Sequence, residues 1–225
     1  MPIDPNASIE VTALSWVPLP AHGLVKDLRV RWALEELGLD YRVRLLGADR
    51  PADYVNDQPF NQVPYFTDGE VHLFESGAIL QYLGEKSETL LPRDPQGKYR
   101  AIQWTYAALN SVEPFVQNRT LLSGPFAGEE WARLSIPHAD QMARLRLTRL
   151  ADRLGDKQWL EGDRFTIGDL MMVTVMRLAE RGKLLDETPN LAAYMERGQA
   201  RPAFQRALED QLATYSEHQP EGVAA

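Results

Sequence analysis

Cysteine is absent from this sequence. That removes disulfides, thiolate metal ligands and cysteine nucleophiles together. Histidine is scarce, with four residues at positions 22, 72, 138 and 218. None of them has the helical two-histidine spacing of a ligand pair, so no bound metal is expected. Long apolar runs are missing, and no stretch approaches the ~20 residues of a membrane span. The opening MPIDPNASIEV lacks the basic start and apolar middle of a signal peptide. The expectation is a cytoplasmic protein with no membrane partner. Basic residues are outnumbered, 24 against 32 acidic, for a net charge of −8. With no run of Lys or Arg, that balance argues against nucleic acid as a partner.

What remains is a chain of 225 residues, 44% hydrophobic, able to bury a core as one large domain or two small ones. Ile9 to Trp16 reads as a strand, followed by the proline-rich loop VPLPAHG. A helix beginning near Leu24 follows, in which Val30, Ala33, Leu34 and Leu37 form one apolar stripe and Gly38 suits the position after its end. YRVRLL is a second strand, with Tyr41, Val43 and Leu45 alternating against Arg42 and Arg44. Residues 47–62 are polar and irregular. FNQVPYFTDGEVHLFESGAIL then supplies a strand, a turn at Asp68-Gly69, a strand and an apolar helix. The order is βαβ, loop, ββα. SETLLPRDPQG is rich in turn residues and marks a linker. Beyond it the chain reads helical over about 98–122, 128–154, 166–180 and 190–213. In FTIGDL, Thr166 and Asp169 have the spacing of a helix capping box, with Phe165 and Leu170 at the staple positions.

Two details of FNQVPYFTDGEVHLFESGAIL carry chemistry. Proline cannot donate to a sheet ladder, so Pro64 sits at a strand start or edge. A cis Val63-Pro64 bond would present the backbone of Val63 to an extended peptide, whereas a trans bond would merely start the strand. Ser76 opens a helix whose free amides form an anion site, and Glu75 beside it can accept from an ammonium group. Together they suit an amino-acid head; the plainer alternative is that Ser76 is only a cap.

QVPYFTDG, LFESGAILQYL, the preceding RVRWALEELGLDY, the following LLPRDPQGKYRAIQW, and FTIGDLMM resemble the glutathione S-transferase family in order and spacing, from about Ile9 to Tyr215. The resemblance implies a thioredoxin-like α/β domain over 1–86, a linker over 87–97, an all-α domain over 98–225, and a homodimer. It implies glutathione as co-substrate and no metal. Val63 would pair with the cysteinyl unit, Pro64 matches the family's cis-proline, and Glu75 and Ser76 would hold the γ-glutamyl head. The glycine end would lie over residues 47–62, with Arg50 and Gln62 as possible partners.

The family usually ionises the thiol with a Tyr, Ser or Cys near the end of the first strand. Here ALSW is followed by VPLPAHGLVKD, with no Tyr, Cys or Thr. Ser15, His22 and Lys26 are the polar side chains nearby. Ser15 is equally a satisfied core hydroxyl inside the strand, and His22 a solvated loop residue. Backbone donors of residues 21–24 and the helix end, with His22 or Ser15, are expected to share the work, His22 being favoured because it lies in the loop rather than inside the strand. A small hydrophobic electrophile would meet the proline loop and Trp104, Tyr106 and Asn110, residues that could equally be core. Three functions fit: conjugation of glutathione to such an electrophile, a detoxifying reaction; glutathione-dependent reduction of peroxides or disulfides without a protein cysteine; and a non-catalytic binding or dimerisation module. A retained amino-acid head site argues against the third.

Overall fold

The computed structural model describes residues 3–222. Packing divides the chain into two compact units: the residues up to Ser87 together with those from Arg201 onward, and Glu88–Ala200.

In the first unit, strands β1 (Ile9–Leu14), β2 (Tyr41–Leu46), β3 (Tyr65–Asp68) and β4 (Val71–Phe74) form one sheet in the order β2-β1-β3-β4. β1 and β2 are parallel, and β3 is antiparallel to both β1 and β4. This is the thioredoxin-like arrangement that the βαβ–ββα order implied. Helix α1 (Asp27–Leu37) connects β1 to β2 and ends at Gly38, whose φ of 62° is a left-handed value that costs glycine nothing. It starts at Asp27, not near Leu24. β1 ends at Leu14, earlier than the pattern suggested: the Ser15 amide makes the last bond to Leu46 (2.9 Å), and Pro18 and Pro20 beyond it cannot donate. The alternation expected of β2 also slips. Leu45 is exposed, and Leu46 is buried with Tyr54, Val63 and Tyr65. The cause lies in the 47–62 segment, which contains a single helical turn, α2 (Tyr54–Asp57), that brings Tyr54 into this cluster.

Helix α3 (Ser76–Glu85) completes the ββα half. The last helix, α9 (Pro202–Glu217), lies outside the stretch up to Ser87 but packs with the first unit. Phe204 meets Trp32 edge-on at 4.8 Å, Gln211 donates to Asp27 at 2.8 Å, and Arg206 and Arg201 pair with Glu35 and Glu36 at 2.6 Å each.

The second unit holds α4 (Pro95–Tyr106), α5 (Glu113–Ser123), α6 (Glu130–Leu154), α7 (Ile167–Arg181) and α8 (Pro189–Gln199). α4 begins within the expected linker, because Asp94 caps it by accepting from Gly97 N–H (2.8 Å) and Pro95 suits a first turn. The expected helix 98–122 is interrupted by a wider π segment, Ala107–Val112, since Pro114 lacks the N–H that would bond four residues back. The expected helix 190–213 breaks at Arg201, which Pro202 holds in extended backbone (φ −66°, ψ 132°). The capping box of α7 is formed: Thr166 Oγ1 accepts from Gly168 N–H at 3.2 Å, and Asp169 Oδ2 accepts from Thr166 N–H at 2.9 Å. Gly168 permits the close approach of α4, because a Cβ there would lie 2.6 Å from Trp104 Cβ.

Asp169 does more than cap. It also accepts from Leu160 N–H at 2.9 Å and from the Tyr194 hydroxyl at 3.1 Å. Asp169→Ala leaves these buried donors without partners and should lower the unfolding free energy by about 2–4 kcal/mol, measured by urea denaturation. Burial pushes its carboxyl from 3.8 up to about 6, with the surrounding donors pulling back. A raised folded value means the folded chain holds the proton more tightly than the unfolded one. The resulting stability is full below about pH 3.8 and is lost as pH climbs through about 6. Asp169→Asn should lack this decline; an unchanged stability–pH profile between these limits would contradict the assignment.

Candidate functional site

The sheet register gathers distant residues at one edge. Val11 lies opposite Phe66, and Tyr65 opposite Phe74. Because β3 is antiparallel to both neighbours, its first residues lie beside the last residues of β1 and β4. Ser15, Val63-Pro64 and Glu75-Ser76 therefore all leave the sheet at the same end. β2, parallel to β1, sends residues 47–62 out there too.

The Val63-Pro64 bond is cis, and both residues are buried. The segment before it is pinned by a relay that sequence reading missed. Tyr65 N–H donates to Thr12 Oγ1 at 2.7 Å, and the Tyr54 hydroxyl donates to the Gln62 carbonyl at 2.7 Å. The Thr12 and Tyr54 hydroxyls are 2.9 Å apart. Tyr54 has already given its hydrogen to Gln62, so Thr12 donates to Tyr54. The chain of bonds runs one way, amide to Thr12 to Tyr54 to carbonyl, and each polarises the next. Burial pushes the Tyr54 phenol above its ordinary value, which keeps this donor protonated. Gln58 Oε1 holds the Gln62 N–H at 3.0 Å. Among the described residues, no hydrogen bond reaches the Val63 backbone. The signal for Thr12 was a polar residue in a buried strand. Tyr54 gave none, because its partners are set by pairing between strands.

At the other side of this edge, Glu75 is the cap residue of α3 and Ser76 its first helical residue, so Ser76 is not the cap. Glu75 is exposed, with φ 70° and ψ 114°, a conformation that non-glycine residues rarely hold. Its carboxylate makes no hydrogen bond to the helix end. Ser76 is buried, and Arg29 of α1, which sequence reading did not single out, donates to its Oγ from Nη1 at 3.2 Å.

The activator candidates separate. Ser15 lies just past the strand rather than inside it and is half-buried. Among the described residues its hydroxyl makes no hydrogen bond. His22 Nε2 donates to the Val17 carbonyl at 3.0 Å, and its ring lies 5.0 Å from that of Tyr215. The expected backbone donors are mostly spent: Ala21, His22 and Leu24 N–H bond to Pro18, Leu19 and Ala21 carbonyls. The start of α1 carries the buried carboxylate of Asp27, which offsets the positive helix end. Lys26 precedes α1 and does not cap it through its side chain. Trp16, Leu19 and His22 share with Leu212 and Tyr215 a mostly apolar cavity of about 240 Å³.

Of the expected electrophile wall, Trp104 is core: it is buried and donates to Glu161 at 2.8 Å. Tyr106 and Asn110 are exposed. Arg50 is half-buried, and its Nε has no hydrogen bond among the described residues. The Gln62 side chain is exposed.

Two family models match: glutathione S-transferase, N-terminal domain, over residues 22–85, and glutathione S-transferase, C-terminal domain, over 137–202. Glutathione S-transferase GstA of Escherichia coli O157:H7 is 33% identical over 162 residues, 69% of this chain and 77% of that protein. Disulfide-bond oxidoreductase YfcG of Escherichia coli K12 is 30% identical over 193 residues, 78% of this chain and 86% of that protein. A glutathione transferase family member from Pseudomonas fluorescens pf-5, solved with two glutathione bound, superposes with a TM-score of 0.79 at 27% identity, covering 90% of this chain and 93% of that one.

The Glu75 backbone yields a test in which stability and binding move oppositely. Glu75→Gly relieves the positive φ and removes the carboxylate that the resemblance assigns to an ammonium group. It should raise the unfolding free energy by about 1 kcal/mol, while glutathione binding weakens. Calorimetric titration and urea denaturation of the same variant would read both; a variant less stable than wild type would show that φ 70° costs the chain nothing.

Proposed function

Because this chain belongs to the glutathione S-transferase family, we propose that it is a transferase joining the glutathione sulfur to a small hydrophobic electrophile. The observation that carries this reading is the convergence, at one sheet edge, of the Val63 backbone, the Glu75 carboxylate and the Ser76 hydroxyl at the start of α3. Val63 pairs with the cysteinyl unit, and Glu75 and Ser76 hold the γ-glutamyl ammonium and carboxylate. Arg50 and Gln62 face the glycine end. The thiolate attacks an electrophilic carbon, a C–S bond forms, and the leaving group departs with its electron pair. The proline loop supplies Trp16 and Leu19 to the acceptor side, close after Ser15 in the chain. The working form is a cytoplasmic homodimer, a reading supported by the exposed edge-to-face pair of Phe60 and Phe74. A stable monomer in sedimentation equilibrium at micromolar concentration would refute the dimer.

Ser15 is the group that favours the thiolate. Moving a thiol from about 8.5 to about 6.5 requires roughly 2.7 kcal/mol. One well-placed bond to a charged group is worth ~1.5–3 kcal/mol. With His22 and most loop amides engaged, Ser15 carries most of this. Ser15→Ala should lower kcat/KM about 10–100-fold, and His22→Ala by less than about fivefold. Titrating the bound thiolate by its ultraviolet absorbance decides between them: a free-thiol value restored by His22→Ala alone would make His22 the activator.

A second reading is favoured by the 30% identity to a disulfide-bond oxidoreductase. In it, one glutathione thiolate attacks a disulfide and expels a thiolate. A second glutathione thiolate then attacks the mixed disulfide, so glutathione disulfide and two thiols result. The chain has no cysteine, so both attacking sulfurs belong to glutathione. Turnover of an aryl halide against a small dialkyl disulfide separates the two activities. Both readings require retention on immobilised glutathione and release by free glutathione. Ser76→Ala should weaken glutathione binding by about 1–3 kcal/mol, and equal dissociation constants for folded mutant and wild type would remove Ser76 from the site.

A further inference from the structure

The hydroxyl at the start of α3 does not stand alone. Arg29, the third residue of α1, is 3% exposed, and its Nη1 reaches Ser76 Oγ across 3.2 Å. A guanidinium carries only donors. A serine hydroxyl carries one hydrogen to give and lone pairs to receive. With Arg29 as the donor, the hydrogen on Ser76 is directed elsewhere, toward an acceptor. The first amides of α3 add partial positive charge at the same place. Glu75, exposed beside it, is an acceptor when ionised. The two neighbouring residues thus have opposite and fixed polarity. Without Arg29, the Ser76 hydroxyl could accept as readily as donate, and the distinction between a carboxylate and an ammonium would weaken.

We propose that Arg29 is a positioning residue, fixing the Ser76 hydroxyl as a donor and so making the start of α3 selective for the α-carboxylate of the γ-glutamyl head. This rests on the glutathione reading above and names the group that sets the site's polarity. Arg31, two residues along, has a different task, since its Nε is held by Asp27 at 2.8 Å. Arg29 acts across 47 residues of sequence on a helix it does not belong to.

The test compares glutathione with γ-aminobutyryl-cysteinylglycine, which is glutathione without the α-carboxylate of its γ-glutamyl unit. Dissociation constants are measured by calorimetry for wild type, Arg29→Met, Arg29→Gln and the double variant Arg29→Met/Ser76→Ala, with folding checked by circular dichroism. Wild type should prefer glutathione by at least about tenfold. In Arg29→Met that preference should fall to within about threefold, while affinity for the analogue stays within about twofold. Adding Ser76→Ala should then change little, because the two residues act as one unit. A merely structural role for Arg29 would weaken both ligands equally and leave the preference intact, which would overturn the proposal. Arg29→Gln keeps one amide donor for Ser76 and should lose part of the preference; it carries the same test where Arg29→Met does not fold. A wild type that does not distinguish the two ligands would instead overturn the glutathione reading itself, and the proposal with it.

Discussion

The pairing of β1 with β3 is the constraint on which the site depends. Thr12 and Tyr65 are 53 residues apart in sequence, yet a single 2.7 Å hydrogen bond joins them. A register slip of one residue would turn Thr12 to the opposite face and break the relay to Tyr54 and Gln62. The Val63 backbone would then lose its fixed direction. Buried polar chains of this kind are stable only when every member is satisfied, which is why three residues from three elements cooperate in holding one carbonyl.

Helix α1 serves two surfaces at once. One side carries the apolar stripe of Leu28, Val30, Ala33 and Leu34 into the core. The other is a row of charges covered by α9. Asp27 and Arg31 form a fully buried pair, and Glu35 and Glu36 receive Arg206 and Arg201. Burial pushes Asp27 and Glu35 above the usual carboxylate range, against the pull of their cationic partners. Desolvating charges costs free energy, so such a joint gives specificity of docking rather than net stability. It sets where α9 lies, and with it Tyr215 against His22.

The absence of cysteine shapes the chemistry more than any residue present. All sulfur chemistry belongs to the ligand, and the protein's part reduces to binding, orientation and the choice of ionisation state. Helix ends and backbone amides can do this only where they are not already used. In this chain the start of α1 carries its own carboxylate, and the turn after Leu19 consumes its own amides. On the proposed reading, the hydroxyl of Ser15 just past β1 is therefore the group asked to stabilise a thiolate.

The sequence alone determined the order of elements, the strand pairs on either side of Asp68-Gly69, the capping box of α7, and the places of Pro64 at a strand start and of Ser76 at a helix start. Each is encoded locally: by hydrophobic period, by glycine and proline positions, or by residues three apart on one turn. Element ends were less legible, because Pro114 and Pro202 act on backbone already committed to helix, and whether a proline widens, kinks or ends a helix depends on the packing around it. Only the tertiary structure decided that α9 joins the sheet-bearing unit, that Trp104 is core, that His22 is tied to Val17, that Arg29 donates to Ser76, and that Thr12 and Tyr54 link Tyr65 to Gln62. These rest on contacts between residues far apart in sequence. Such a contact leaves no periodic trace: a buried arginine or threonine looks, along the chain, like any polar residue at a helix or strand position, until folding supplies the partner that satisfies it.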